Sequence, residues 1–149
     1  MGAHPWFYLV PYQRNVKKAM LELREREFQA GRYNPVVAFP HMTEGAPGAQ
    51  HDSIDEAREA ADADGTRSIV DIDDVADDPA DPEADPRFGV VSPVDPEVLQ
   101  ELYDTTEPTR QMLSDMAFFE ELERGTGVYV IVYDKGKPSE ICFAGYSYD

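Results

Sequence analysis

The stretch GVYVIVYDKGKPSEICFAGYSY, residues 127–148, carries the clearest structural signal in the chain. VYVIVY at 128–133 is apolar throughout, DKGK at 134–137 has the composition of a turn, and ICFAGYSY from 141 resumes the β-branched and aromatic pattern, so the three read as a β-hairpin. A strand without a polar face needs cover on both sides, which makes VYVIVY a central strand and obliges the rest of the chain to supply that cover.

Working outward, WFYLV at 6–10 is again wholly apolar and reads as a strand buried on both faces, with Pro11 as its stop. A helix is predicted over about 16–30. Asn15 caps it, Val16, Ala19, Met20, Leu23 and Phe28 fall close to one stripe, Lys17, Glu22, Glu25 and Arg26 face away, and Gly31 supplies the left-handed stop. Met112, Met116, Phe119 and Leu122 predict a second long helix over about 107–124, ending at Gly125.

Shorter elements lie between. Ser53 with Glu56 three residues on forms a capping box for a helix through Ala63, peripheral because its inner face is mostly alanine. Asp95 followed by Pro96 opens an amphipathic helix carrying Val98, Leu99, Leu102 and Tyr103. TRSIVDI at 66–72 reads as a strand through Ile69, Val70 and Ile72, and FGVVSPV at 88–94 as a shorter one. Residues 31–52 read as a long surface loop with at most a brief edge strand at VVAF, 36–39. The resulting order predicts a single α+β domain over 1–149, in which about four strands, two of them the C-terminal hairpin, pack against two main helices.

A chain of 149 residues buries roughly 70% of its unfolded surface, enough for one core, and a 42% hydrophobic content can fill it. The net charge of −17 is concentrated, because residues 51–100 hold sixteen acidic side chains against three basic ones. At its centre stands DIDDVADDPADPEADPR, 71–87, with eight carboxylates. Pro79, Pro82 and Pro86 remove backbone donors and the carboxylates repel one another, so an acidic surface loop at about 73–87, outside helix and sheet, is expected. Such a block repels phosphates and argues against nucleic acid as a partner, while it speeds encounter with a basic protein. Asp74, Asp77, Asp78, Asp81 and Glu83 are the candidate partner-binding residues. Four Lys against nine Arg also fits a chain adapted to a salt-rich interior.

Familiar chemistry is missing. Counting an EF-hand loop from Asp71 puts Val75 at position five and Ala76 at six, where an acid and a glycine are needed. His4, His41 and His51 have no zinc spacing, so no metal is expected, and the absence of GxSxG, phosphate-loop and GxGxxG motifs leaves no cofactor either. Cys142 is the lone cysteine, which excludes an intrachain disulfide and suits a reducing compartment. Residues 1–13 lack a leading Lys or Arg and are interrupted by Pro5 and Pro11, so the chain reads as soluble and cytoplasmic, with no membrane partner.

Two further surfaces merit a role. Arg32, Tyr33 and His41 would border a pocket near the 32–52 loop if the domain were a small enzyme or bound a ligand. Arg14, Lys17, Lys18, Arg24, Arg26 and Arg32 gather around the first helix; they are answered by Glu22, Glu25 and Glu27, or they meet the acidic run of the same or another copy, the latter making a homo-oligomer. The reading that best joins these features is a non-catalytic protein-binding domain, inhibitor-like or immunity-like, facing a basic protein. Its alternatives are the small enzyme or ligand-binding domain and a salt-adapted housekeeping domain.

Overall fold

The hairpin forms, and the two ends of the chain meet on it. The computed structural model describes residues 4–37 and 47–148. Strand β4 (Gly127–Asp134) turns through Lys135 and Gly136, both at positive φ, into β5 (Lys137–Tyr146). Strand β1 (Pro5–Pro11) pairs antiparallel with the other side of β5, in a register that sets Trp6 opposite Gly145 and Leu9 opposite Cys142. Past the last rung the backbones of His4 and Ser147 still bond, the Ser147 N–H donating to the His4 carbonyl at 2.9 Å.

Two short strands complete a mixed, five-stranded sheet of order β1-β5-β4-β3-β2. They are β2 (Asp74–Val75) and β3 (Val90–Pro93), which run parallel to each other, and β3 runs parallel to β4. The central position of β4 explains its all-apolar sequence. Alternate side chains serve opposite cores: Tyr129 and Ile131 pack with Trp6, Ile141, Phe143 and Val91 on one face, while Val128, Val130 and Val132 pack with Cys142 and Ala144 on the other.

Helix α1 (Val16–Ala30) covers the first face with Ala19, Met20 and Leu23. Its ends are those its sequence calls for, since the Asn15 side chain accepts from the Lys18 N–H at 3.0 Å and Gly31 sits at φ 75°. Helix α2 (Ile54–Ala61) begins at Ser53, whose hydroxyl accepts from the Glu56 N–H. Its alanines do more than line a periphery, because Ala57 and Ala61 are buried and Ala57 packs with Phe28, Tyr33 and Val70. The opposite sheet face is covered by α3 (Pro96–Tyr103), capped by Asp95, and by α4 (Arg110–Leu113) with the 3-10 turn 117–121 that follows. On α3 only Leu99 is fully buried, and Leu102 faces solvent.

Four expectations need correction. The helix predicted over 107–124 is broken: α4 stops at Leu113, Met116 adopts φ 58°, and the Asp115 carboxylate accepts from the Ala117 N–H at 2.9 Å. Local side-chain acceptance of this kind competes with the helical ladder, so one long second helix becomes two short pieces that bury Leu113, Phe118 and Phe119. Residues 66–72 are not a strand. Ser68 Oγ accepts from Val70 N–H, a 3-10 turn spans Ile69–Asp71, and Arg67 takes φ 55°, yet Ile69, Val70 and Ile72 are as buried as their apolarity demanded.

The third correction concerns the acidic run, whose residues 74–75 join the sheet as β2 and make it five-stranded rather than about four. The fourth concerns the head of the run, where Asp71 is buried and Asp73 and Asp74, though exposed, are held in ion pairs. The edge strand considered at 36–39 falls partly outside the described residues; Val36 and Val37 lie in a turn. No described helix is long and apolar enough to cross a membrane.

Candidate functional site

The acidic run divides at about residue 76. Asp71 is buried, and both its oxygens accept from the Thr66 N–H, at 2.9 and 3.1 Å. Burial pushes its carboxyl above the ordinary aspartate range, against the opposing pull of those bonds. Asp73 takes guanidinium groups from two helices, Arg58 at 2.6 Å and Arg24 at 3.4 Å. Asp74 pairs with Lys17 at 3.1 Å, and that ammonium, together with the Val75 N–H, holds its carboxyl below the usual range. Of the basic ground around the first helix, Lys17 and Arg24 thus meet the acidic run of their own chain, while Lys18 pairs with Glu22 and Arg32 with Glu27.

Beyond that point the carboxylates face outward. Asp77, Asp78, Asp81, Glu83 and Asp85 are all exposed, and among the described residues none forms an ion pair. The loop is nonetheless shaped. Asp81 accepts from the Glu83 N–H at 2.9 Å, and its carbonyl accepts from Ala84 N–H. Arg87 pins the whole excursion, its Nη2 donating to Ser92 Oγ at 2.8 Å on β3 and to the Asp78 carbonyl at 3.4 Å.

Between this loop and the sheet face that bears α3 lies a cleft of about 710 Å³. One wall is the loop itself, Pro79 to Arg87; the other is built from Val94, Val98, Phe118, Leu122 and Val128. Asp81 and Asp85 border it from the loop, Asp95 and Glu123 from the opposite wall, and among the described residues Arg87 is the one cationic side chain in its lining. Of the candidate partner-binding residues, Asp81 thus borders the cleft, whereas Asp74, Asp77, Asp78 and Glu83 do not line it. Asp77 acts on the other sheet face, where it adds to burial in raising the Tyr129 hydroxyl.

The residues named for a pocket near 32–52 have internal partners. Arg32 makes a forked pair with the buried carboxylate of Glu27, its Nε donating to Oε2 at 3.0 Å, and that bond raises the guanidinium's pKa further. Tyr33 has no exposed surface; its ring stacks on Phe28 and its hydroxyl stands 2.7 Å from His51 Nδ1, which ties residues 50–51 to the end of α1. His41 lies outside the described residues. Among the described residues no group of three or more His, Cys, Asp or Glu side chains is placed to hold a metal ion.

Sequence reasoning missed Val94, Val98, Phe118, Leu122 and Val128 as site residues, because each reads as part of an apolar stripe and nothing local separates a cleft wall from a core. No protein family model, characterised protein or solved structure matches this chain.

Proposed function

We propose that this protein is a non-catalytic binding domain whose acidic face engages a basic partner protein, in the manner of an inhibitor or immunity protein that meets a cationic toxin or nuclease. One observation carries the reading: after Asp71, Asp73 and Asp74 are taken by internal partners, Asp77, Asp78, Asp81, Glu83 and Asp85 remain exposed on a single loop with no ion pair among the described residues. Three prolines restrict that loop, so less chain entropy is lost when a partner binds. Dense charge of one sign accelerates encounter with the opposite sign and discriminates against acidic competitors.

The test is association with an octa-arginine peptide and with a cationic protein, followed from low to molar salt, for the natural chain and for D77N/D78N/D81N/E83Q/D85N. Association should slow steeply with ionic strength and fall in the variant. Binding that ignores salt, or survives the five substitutions, removes the reading. A ligand-binding alternative has one observation in its favour, the cleft of about 710 Å³. Neither Arg32 nor Tyr33 lines it, so a pocket of that kind would belong to the α3 side of the sheet.

A further inference from the structure

We infer that the cleft under the 79–87 loop is where the partner is anchored, and that it takes an extended peptide segment in which one apolar side chain is flanked by lysine or arginine. This rests on the acidic-face reading and goes beyond it, since charge on an open loop would by itself seat nothing in particular. The cleft is lined by apolar and acidic groups together: Val98, Phe118, Leu122 and Val128 with Asp95 and Glu123 on one wall, and Asp81 and Asp85 on the loop wall. Arg87, the one cation in the lining among the described residues, keeps its charge while it bonds the neutral Ser92 hydroxyl and Asp78 carbonyl, and one cation against four carboxylates leaves the lining net acidic.

The occupant follows from complementarity. An anionic amphiphile would lie between carboxylates on both walls, and a neutral one would leave them unanswered. A basic segment fits twice over, because the aliphatic stems of Lys and Arg extend along apolar surface while their heads reach the carboxylates. The volume falls within the roughly 300–1,000 Å³ of ordinary binding sites. The two contributions do different work. Exposed charge pairs are worth only about 2–5-fold each, whereas seating one leucine-sized side chain out of water is worth on the order of tenfold or more. Charge therefore governs encounter, and the cleft governs residence.

The experiment uses the full chain and two end-capped peptides, Arg-Lys-Leu-Lys-Arg and the same sequence with Ser for Leu, with binding read by fluorescence anisotropy. The Leu peptide should bind about tenfold more tightly. That advantage should vanish in Val98→Phe and in Ala84→Trp, which fill the cleft from opposite walls; Ala84 is exposed on the loop, so this second variant leaves the core untouched, and thermal melts confirm folding of each. Asp81→Asn and Asp85→Asn should weaken both peptides alike, about 2–5-fold each.

Equal affinity for the two peptides, or a Leu advantage that persists in a folded, filled variant, overturns the cleft assignment; if the Asn variants still weaken both peptides, the acidic-face reading stands without it. Loss of both the charge dependence and the Leu advantage overturns the two together. Displacement of the Leu peptide by octanoate more readily than by octylammonium overturns the cationic occupant in favour of an anionic ligand.

Discussion

Arg58 places Nη1 2.6 Å from Oδ1 of Asp73, which joins helix α2 to the residue just ahead of β2. Arg24 of α1 approaches the same oxygen at 3.4 Å, so one carboxylate staples both helices to the sheet's last strand. Each guanidinium also donates to the chain beside it, Arg58 Nε to the Val70 carbonyl and Arg24 Nη1 to that of Ile72. The two cations press on each other: burial first and Arg58 second lower the pKa of Arg24, with Asp73 opposing them.

Asp73→Ala should therefore lower stability by about 1 kcal/mol, a figure held down because the Asp73 side chain is well exposed to solvent. Urea unfolding measures this. A midpoint equal to that of the natural chain would mean the staple contributes nothing.

Neutralising the outward group should do the reverse. In D77N/D78N/D81N/E83Q/D85N the midpoint should match or exceed that of the natural chain at low salt, because like charges no longer repel, and the two should converge in molar salt. A salt response that is strong in the natural chain and weak in the variant would place the chain's salt sensitivity in residues 77–85. Destabilisation of the variant at low salt would show that these carboxylates stabilise the fold through interactions stronger than their mutual repulsion.

Burial, with a smaller push from Glu140, raises the Cys142 thiol to about 12. Only the thiolate is nucleophilic, so Cys142 should resist Ellman's reagent at mildly alkaline pH in the folded chain and react fully in denaturant. Because the folded pKa exceeds the unfolded value of about 8.5, this group's contribution to stability is complete below the latter and is lost as pH climbs through the former. Rapid native labelling would contradict both statements.

Asp71 sets an acid-range test. Its folded pKa is raised, chiefly by burial, so its contribution is full below the ordinary aspartate range and is lost as pH rises through the raised value. Asn at this position does not titrate. The stability advantage of the natural chain over Asp71→Asn should accordingly shrink as pH rises across that window, and unfolding of both at several pH values gives the comparison. An advantage that grows with pH would refute the assignment.

Gly145 sits where β5 passes beneath Trp6, and a Cβ there would meet the indole ring and stand 2.6 Å from the Thr126 carbonyl oxygen. Gly145→Ala should cost about 1–3 kcal/mol through overpacking and shift the fluorescence of the lone tryptophan. Unchanged stability and emission would mean that the β1 edge yields more easily than its packing implies.

Much of the architecture was legible because its signals are local. Six consecutive apolar residues and a Lys-Gly turn specify β4 and β5, an Asn cap and a Gly stop bound α1, and Asp95-Pro96 opens α3, each through atoms only a few positions apart. The same locality misled at 66–72, where the apolar Ile69, Val70 and Ile72 read as a strand but Ser68 and Asp71 satisfy the backbone in a turn instead of a ladder. It misled again at 107–124, where a sound apolar stripe is cut by Asp115 and the left-handed Met116.

By itself, then, the sequence determined apolar strands toward both ends of the chain, a covered central strand and the caps of its principal helix, since periodicity and capping act over one or two turns of chain. Tertiary structure alone decided which of eight chemically similar carboxylates would face Arg24, Arg58 and Lys17 and which would face water, and whether Val98 and Val128 would wall a cleft or fill a core. The reason is range: a carboxylate's partner, and the emptiness beside an apolar side chain, depend on groups tens of residues away that only the folded chain brings within a few ångströms.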